Sequence, residues 1–150
     1  MSETKNILEV KELRVSYHTY AGEVQSVRGV SFELETGKAL AIVGESGCGK
    51  SVTAKSIMGL IKGPAGEVKE GSTILYNGDN ILKYSKKQWQ AYKGGECAII
   101  FQDALASLNP TMRVGKQIME NLMAHKNMDK KSAQKEAVEM LRMVGIPEPE

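Results

Sequence analysis

Residues 44–51 read Gly44-Glu45-Ser46-Gly47-Cys48-Gly49-Lys50-Ser51 and fit the phosphate-loop pattern G-x-x-x-x-G-K-[ST] at every fixed position. Each residue type has a task in holding a polyphosphate. Gly44, Gly47 and Gly49 lack a Cβ, so the backbone can turn tightly and come close to a ligand. The N–H groups of such a loop converge into an anion nest, and the positive end of a following helix adds to the attraction. Lys50 is placed to reach β- and γ-phosphates, and the Ser51 hydroxyl to ligate Mg²⁺. At average composition the pattern arises by chance in roughly 0.5% of chains of this length, so the flanks decide its meaning. Ala39-Leu40-Ala41-Ile42-Val43 is the short apolar run of a buried parallel strand. Ala54, Ile57, Met58 and Ile61 then recur at helical spacing.

A magnesium ion normally takes a second protein contact from an Asp at the end of a buried strand. Two residues compete for that place after the apolar run Cys97-Ala98-Ile99-Ile100-Phe101. Asp103 has the carboxylate, but Gln102 intervenes. Gln102 sits at the carboxyl end of the expected strand, where ligands bind in α/β sheets. Cys48, beside helix amides and Lys50, is expected to react with alkylating agents and to be shielded by a nucleotide. His18 and His125 read as surface histidines, and no paired-carboxylate or Cys/His metal constellation occurs. Lys83 to Lys93 interleaves Tyr84, Trp89 and Tyr92 with lysines. That composition suits either a single-stranded nucleic-acid platform or, the reading preferred here, a solvated face with its aromatics packed inward. The late methionines, Met112, Met119, Met123, Met128, Met140 and Met143, suit a partner surface and core packing equally.

The elements that must position these residues are legible in outline. Ile7 to Tyr17 alternates apolar and polar residues, as a half-exposed strand pair or one long strand would. Residues 18–23 read as a turn, Val24 to Leu34 as a further strand, and Thr36-Gly37-Lys38 as a second turn. Residues 59–71 form an exposed connection, Ser72–Tyr76 a strand, and Asn77-Gly78 a tight turn. A short helix should start near Ser85 and end at Gly94-Gly95, followed by a second buried strand at 97–101. The last third is helical: Ile118, Met119, Leu122 and Met123 form one stripe, and Ala133, Ala137, Val138, Leu141 and Val144 another, with Asp129 as N-cap. The fold class is therefore α/β, with an antiparallel layer beside a parallel core. The 150 residues suit one ordinary domain or part of a larger one, and the formal charge of +2 argues for no polyanionic partner. Two cysteines, one inside the loop, argue against a disulfide scaffold and for the cytoplasm. Met1-Ser2-Glu3-Thr4-Lys5 opens no secretory signal, and no apolar run is long enough to span a bilayer.

Together these segments resemble the first half of the ATPase domain of ABC transporters, in particular the ATPase subunits of bacterial oligopeptide and dipeptide importers. The resemblance covers essentially the whole chain. It rests on residues 44–54, on Ile100-Phe101-Gln102-Asp103 with Ser107-Leu108-Asn109-Pro110, and on the segment from His18 to Val27. It implies a P-loop NTPase core with an N-terminal antiparallel β layer over 1–101, then the Q-loop and the start of a helical subdomain over 102–150. It further implies ATP and Mg²⁺ held by Gly44, Glu45, Ser46, Gly47, Cys48, Gly49, Lys50, Ser51 and Val52. Val52 stands where many relatives have Thr, which leaves its backbone N–H to serve the α-phosphate. Gln102 matches the Q-loop glutamine, which senses the γ-phosphate and Mg²⁺; Lys50 and Gln102 are thus the expected catalytic pair, and Ser51 and Gln102 the metal contacts. Adenine is expected to stack on an aromatic side chain upstream of the loop. Strand register favours Tyr17, while the turn context leaves Tyr20 open.

The implied partners are a second ATPase subunit (identical or different), transmembrane permease subunits and, indirectly, an extracellular peptide-binding protein. No nucleic-acid partner is expected, and the location would be the cytoplasmic face of the membrane. The family's LSGGQ-like signature, its apolar run ending in Asp-Glu and its switch histidine are all absent, since they follow residue 150 in the family. The expectation is thus an incomplete domain, inactive or nearly so alone, whose open strand edges favour self-association. Two other readings stay open: a self-contained P-loop kinase or NTPase using Asp103, and an ABC-type nucleotide switch outside transport.

Overall fold

The computed structural model describes residues 5–103 and 107–149. The chain divides into two compact units, Met1–Trp89 and Gln90–Glu150.

The first unit is built on a long hairpin. β1 (Asn6–Thr19) and β2 (Gly22–Glu35) pair antiparallel and are joined through Tyr20 and Ala21 alone, a tighter turn than the sequence suggests. β1 is one continuous strand rather than a strand pair. Two polar residues, Lys11 and Glu12, separate Val10 from Leu13, and there the chain inserts a bulge with Glu12 at φ +49°. The extra residue resets the alternation, so Val10, Leu13 and Val15 are all buried. Beyond the 49-to-57 region, short strands add to the other edge of β1: β3 (Gly66–Val68) pairs with Val15–Tyr17, and β4 (Thr73–Tyr76) with Leu8–Lys11. β5 (Asp79–Asn80) returns along β4 through Asn77 and Gly78, both at positive φ, as that dipeptide requires. The sheet order is β2-β1-β4-β5. Its core gathers Val10, Leu13, Val15, Val27, Met58, Ile74 and Ile81.

Helix α1 (Lys50–Ile57) begins at the end of the phosphate loop and is shorter than its spacing predicts. Gly59, at φ +57°, stands at its end, where a Cβ would lie 2.4–2.7 Å from the Trp89 ring. Its buried face is also rotated: Thr53 and Ser56 are covered, rather than only the apolar positions. Their hydroxyls bond back to the carbonyls of Gly49 and Val52, which lets polar side chains be buried. A 3₁₀ turn (Ile81–Lys83) leads to α2 (Lys86–Ala91), capped reciprocally by Ser85 and Gln88.

Two expected strands are not formed. Residues 39–43 belong to no ladder, and Leu40, Ile42 and Val43 are exposed. Of residues 97–101, only Cys97 makes an isolated bridge, to Lys93, and Ile100 is 94% exposed. Parallel core strands are buried on both faces and bonded on both edges by other parallel strands. Every ladder between the described strands is antiparallel. The α/β class stands, as an antiparallel sheet with helices, but the parallel P-loop core expected from the sequence is absent among the described residues.

The second unit contains a non-helical turn (Tyr92–Glu96), closed by the Cys97 N–H donating to the Tyr92 carbonyl at 2.9 Å with Gly94 at φ +82°, and the helices α3 (Val114–Lys126) and α4 (Lys130–Met143). Leu122, Ala133 and Ala137 are buried between these helices, flanked by Ile118, Met119, Met128 and Met140. The cap at Asp129 is as expected, its Oδ1 accepting from the Ser132 N–H at 3.2 Å. Val144 and Met143 are exposed, so the α4 stripe ends earlier than the sequence suggests.

Candidate functional site

The phosphate loop folds around its own lysine. Lys50 Nζ donates to the carbonyls of Gly44 and Glu45, both at 2.7 Å, and lies 3.6 Å from Cys48 Sγ. The ammonium thus occupies the centre of a ring made by residues 44–50. Gly49 shows why the pattern demands glycine. It has φ +97°, and a Cβ would fall 2.6 Å from the backbone oxygen of Ser26 on β2. β2 therefore buttresses the loop directly. From Gly49 the chain enters α1, and the Thr53 N–H makes a helical bond to Gly49 O at 2.8 Å. The preceding first-turn amides, Lys50, Ser51 and Val52, have no partner within a helix. They are the donors that an anion would use. The exposed Ser51 hydroxyl makes no hydrogen bond among the described residues, which leaves it available to a cation. Among the described residues no group of three or more His, Cys, Asp or Glu side chains could hold a metal by itself. A hard cation at Ser51 would need most of its oxygen ligands from a bound phosphate and water.

An open groove of about 540 Å³ lies beside the loop, lined by Gly47 and Cys48 on one side and by Val24, Val27 and Arg28 of β2 on the other. Tyr17 is half-buried opposite Val24 and Gly66, with its ring against Gly66, where a Cβ would come within 2.8 Å. Tyr20 stands fully exposed at the hairpin tip. An ionic cluster ties this end of the hairpin to β3. Lys69 pairs with Glu23 at 2.9 Å and with Glu67, and His18 Nε2 lies 3.0 Å from Glu67 Oε1. The Lys69 hydrogen bonds are the main cause holding the Glu23 and Glu67 carboxyls below the usual range, and those same bonds raise Lys69. His18 is thus a partnered surface histidine. His125 is half-buried, with its ring against Gly94.

Gln102 and Asp103 lie in an exposed bend of the second unit, and the backbone oxygen of Asp103 accepts from Ser107 Oγ at 3.3 Å. The loop residues 44–52 and Tyr17 both belong to the first unit, whereas Gln102 belongs to the second. A residue that sequence reading missed organises the segment beyond Gln102. Gln117, in the first turn of α3, accepts from the Asn109 N–H at 3.0 Å. Its amide donates to the carbonyls of Asn109 at 3.0 Å and Met112 at 2.9 Å. Nothing in its spacing marks that role. In the lysine-rich segment Tyr92 is buried, Trp89 packs on Gly59, and Tyr84 meets Trp89 edge-on at 5.8 Å. The aromatics pack against the protein rather than forming an exposed stacking platform.

No helix among the described residues is long and apolar enough to cross a membrane. The family model described as "ABC transporter" matches residues 27–149. An oligopeptide transport ATP-binding protein of Bacillus subtilis (strain 168) is 53% identical over 150 residues, covering all of this chain and 42% of that protein. A dipeptide transport ATP-binding protein of Lactococcus lactis subsp. cremoris is 53% identical over 151 residues, with the same coverage. A dipeptide transport ATP-binding protein of B. subtilis is 49% identical over 145 residues, covering 97% of this chain and 43% of that one. The chain thus spans well under half the length of these relatives. With its phosphate loop formed at the head of α1 and the family match running from within β2 to beyond α4, the chain belongs to the ABC transporter family.

Proposed function

We propose that this chain binds ATP with Mg²⁺ at residues 44–52, as part of the energy-coupling subunit of a bacterial oligopeptide or dipeptide importer. The observation that carries the reading is the loop itself: Lys50 at its centre, bonded to the Gly44 and Glu45 carbonyls, with the first-turn amides of α1 directly beyond. Lys50 would meet the terminal phosphates by exchanging carbonyl partners for phosphate oxygens, a charge-assisted contact stronger than the one it leaves. The amides of Gly47, Gly49, Lys50 and Ser51 would bind phosphate oxygens, and the Val52 N–H the α-phosphate. Ser51 would be the protein's hydroxyl ligand for Mg²⁺, which when bound neutralises charge on the β- and γ-oxygens. Tyr17 would carry the adenine, next to the groove edge at Val24.

Gln102 is proposed as the second contact to metal and γ-phosphate, and as the link to a membrane subunit. The names of the relatives, oligopeptide and dipeptide transport ATP-binding proteins, support the substrate class; permease subunits in the membrane and a location on its cytoplasmic face are proposed with it. A second ATP-binding subunit and an extracellular binding protein complete the proposed assembly. The 150 residues contain no apolar run ending in Asp-Glu and no LSGGQ-like segment. Binding without appreciable hydrolysis is therefore the activity proposed for this chain. Equilibrium dialysis with ATP·Mg²⁺ tests it: Lys50→Ala should weaken binding about tenfold or more. Equal binding by both proteins, or turnover abolished by Asp103→Asn, would refute it.

A further inference from the structure

Arg28 stands opposite Arg14 in the β1–β2 ladder. Like charges facing each other across an antiparallel pair oppose folding. Arg14 is balanced by Glu12, whose Oε2 lies 3.0 Å from its guanidinium. Among the described residues no carboxylate comes within ion-pair distance of Arg28. The one hydrogen bond it makes there runs from Nε to the backbone oxygen of Gln25 at 3.4 Å. The fold thus keeps an exposed positive charge on β2 that does nothing for the sheet. Its position is specific. Arg28 lines the 540 Å³ groove together with Gly47 and Cys48 of the phosphate loop, where no carboxylate among the described residues lines the wall, and also a neighbouring 500 Å³ groove of mixed charge with Arg14, Lys69, Glu23 and Glu70. β2 packs directly against the loop at Ser26 and Val27, close to Arg28 in sequence. A guanidinium offers planar, paired N–H donors that suit phosphate oxygens.

We propose that Arg28 is a second cation for the phosphate chain of the nucleotide, supplied by β2 across the groove from Gly47 and Cys48. The proposal rests on residues 44–52 being the ATP site. Lys50 serves the inside of the loop, and Arg28 the side that faces the groove. Its contribution grows with ligand charge, so it favours a triphosphate over a diphosphate and is indifferent to adenosine.

Titration calorimetry of this chain with ATP·Mg²⁺, ADP·Mg²⁺ and adenosine tests the proposal in wild type, Arg28→Ala, Arg28→Lys and Lys50→Ala. Arg28→Ala should weaken ATP about threefold to tenfold, weaken ADP less and leave adenosine unchanged. Arg28→Lys should recover part of the loss. The melting temperature of Arg28→Ala without nucleotide should equal or exceed that of wild type, because the opposition to Arg14 is relieved. Unchanged ATP affinity in Arg28→Ala, with Lys50→Ala weakened, overturns the role of Arg28 and leaves the loop assignment standing. A lowered melting temperature with equal losses for ATP and adenosine shows a structural role and also overturns it. If wild type does not bind ATP, or Lys50→Ala binds as wild type does, the loop assignment fails and this proposal fails with it.

Discussion

Replacing Gly49 with alanine separates the two reasons for a glycine at that position. At φ +97° a side chain occupies a strained region of backbone space, which costs about 1–3 kcal/mol. The added Cβ would also lie 2.6 Å from Ser26 O and 3.3 Å from Val27 Cγ2. Neither obstacle is the free end of a flexible chain, so the loop or β2 must shift. The combined cost is about 2–4 kcal/mol, a large part of the 5–15 kcal/mol of a typical domain. Gly37 is the control, with φ +75° and nothing within 4 Å of an added Cβ. Gly37→Ala should therefore cost only about 1–2 kcal/mol and leave nucleotide binding intact. The lone tryptophan, Trp89, is half-buried in the same unit and reports urea unfolding by fluorescence. Gly49→Ala should unfold at lower urea than Gly37→Ala and bind ATP at least about tenfold more weakly. Equal destabilisation by the two variants, with wild-type ATP affinity in Gly49→Ala, would refute the claim that β2 sets the shape of the loop.

Tyr17→Ala should lower ATP affinity by more than Tyr20→Ala in parallel titrations, because Tyr17 is half-buried and pairs with Val24, which lines the groove, whereas Tyr20 projects into solvent; the reverse order would move the adenine contact to the hairpin tip. Asp129→Ala should destabilise α4 at neutral pH. The Ser132 hydrogen bonds hold the Asp129 carboxyl below its ordinary value, so its contribution is complete above about pH 4 and fades as acid takes the pH lower. The variant's deficit, measured by thermal melts against pH, should shrink on acidification; a deficit that grows would contradict the cap. Gln117→Ala should speed hydrogen exchange at the Asn109 amide, which now donates to the Gln117 side chain, and unchanged protection there would show that the clamp is dispensable.

The parts of the fold that local chemistry decides were legible. The phosphate loop, the Asn77-Gly78 turn and the Asp129 cap each depend on residues within a few positions of one another. The bulge at Lys11-Glu12 was not read from the sequence, which left one strand or a strand pair open; only the pairing register shows the extra residue. What failed depended on distant partners. Residues 39–43 and 97–101 have the composition of parallel core strands, yet composition supplies neither the neighbouring edges nor the cover. Thr53 and Ser56 escaped notice because periodicity counts apolar residues, and a hydroxyl that bonds to the carbonyl four residues back buries as well as a methyl group does. At the site, the loop pattern located residues 44–51, but the buttress from Ser26 and the position of Arg28 came only with the β1–β2 register.

The central claim is that the amides of the loop and of the first turn of α1 converge on phosphate. Amide-resolved nuclear magnetic resonance of the ¹⁵N-labelled chain, titrated with ATP·Mg²⁺, tests it most directly. The largest shifts should fall on Gly47, Gly49, Lys50, Ser51 and Val52, and they should vanish in Lys50→Ala. Shifts centred on other residues, or none at saturating nucleotide, would contradict the account.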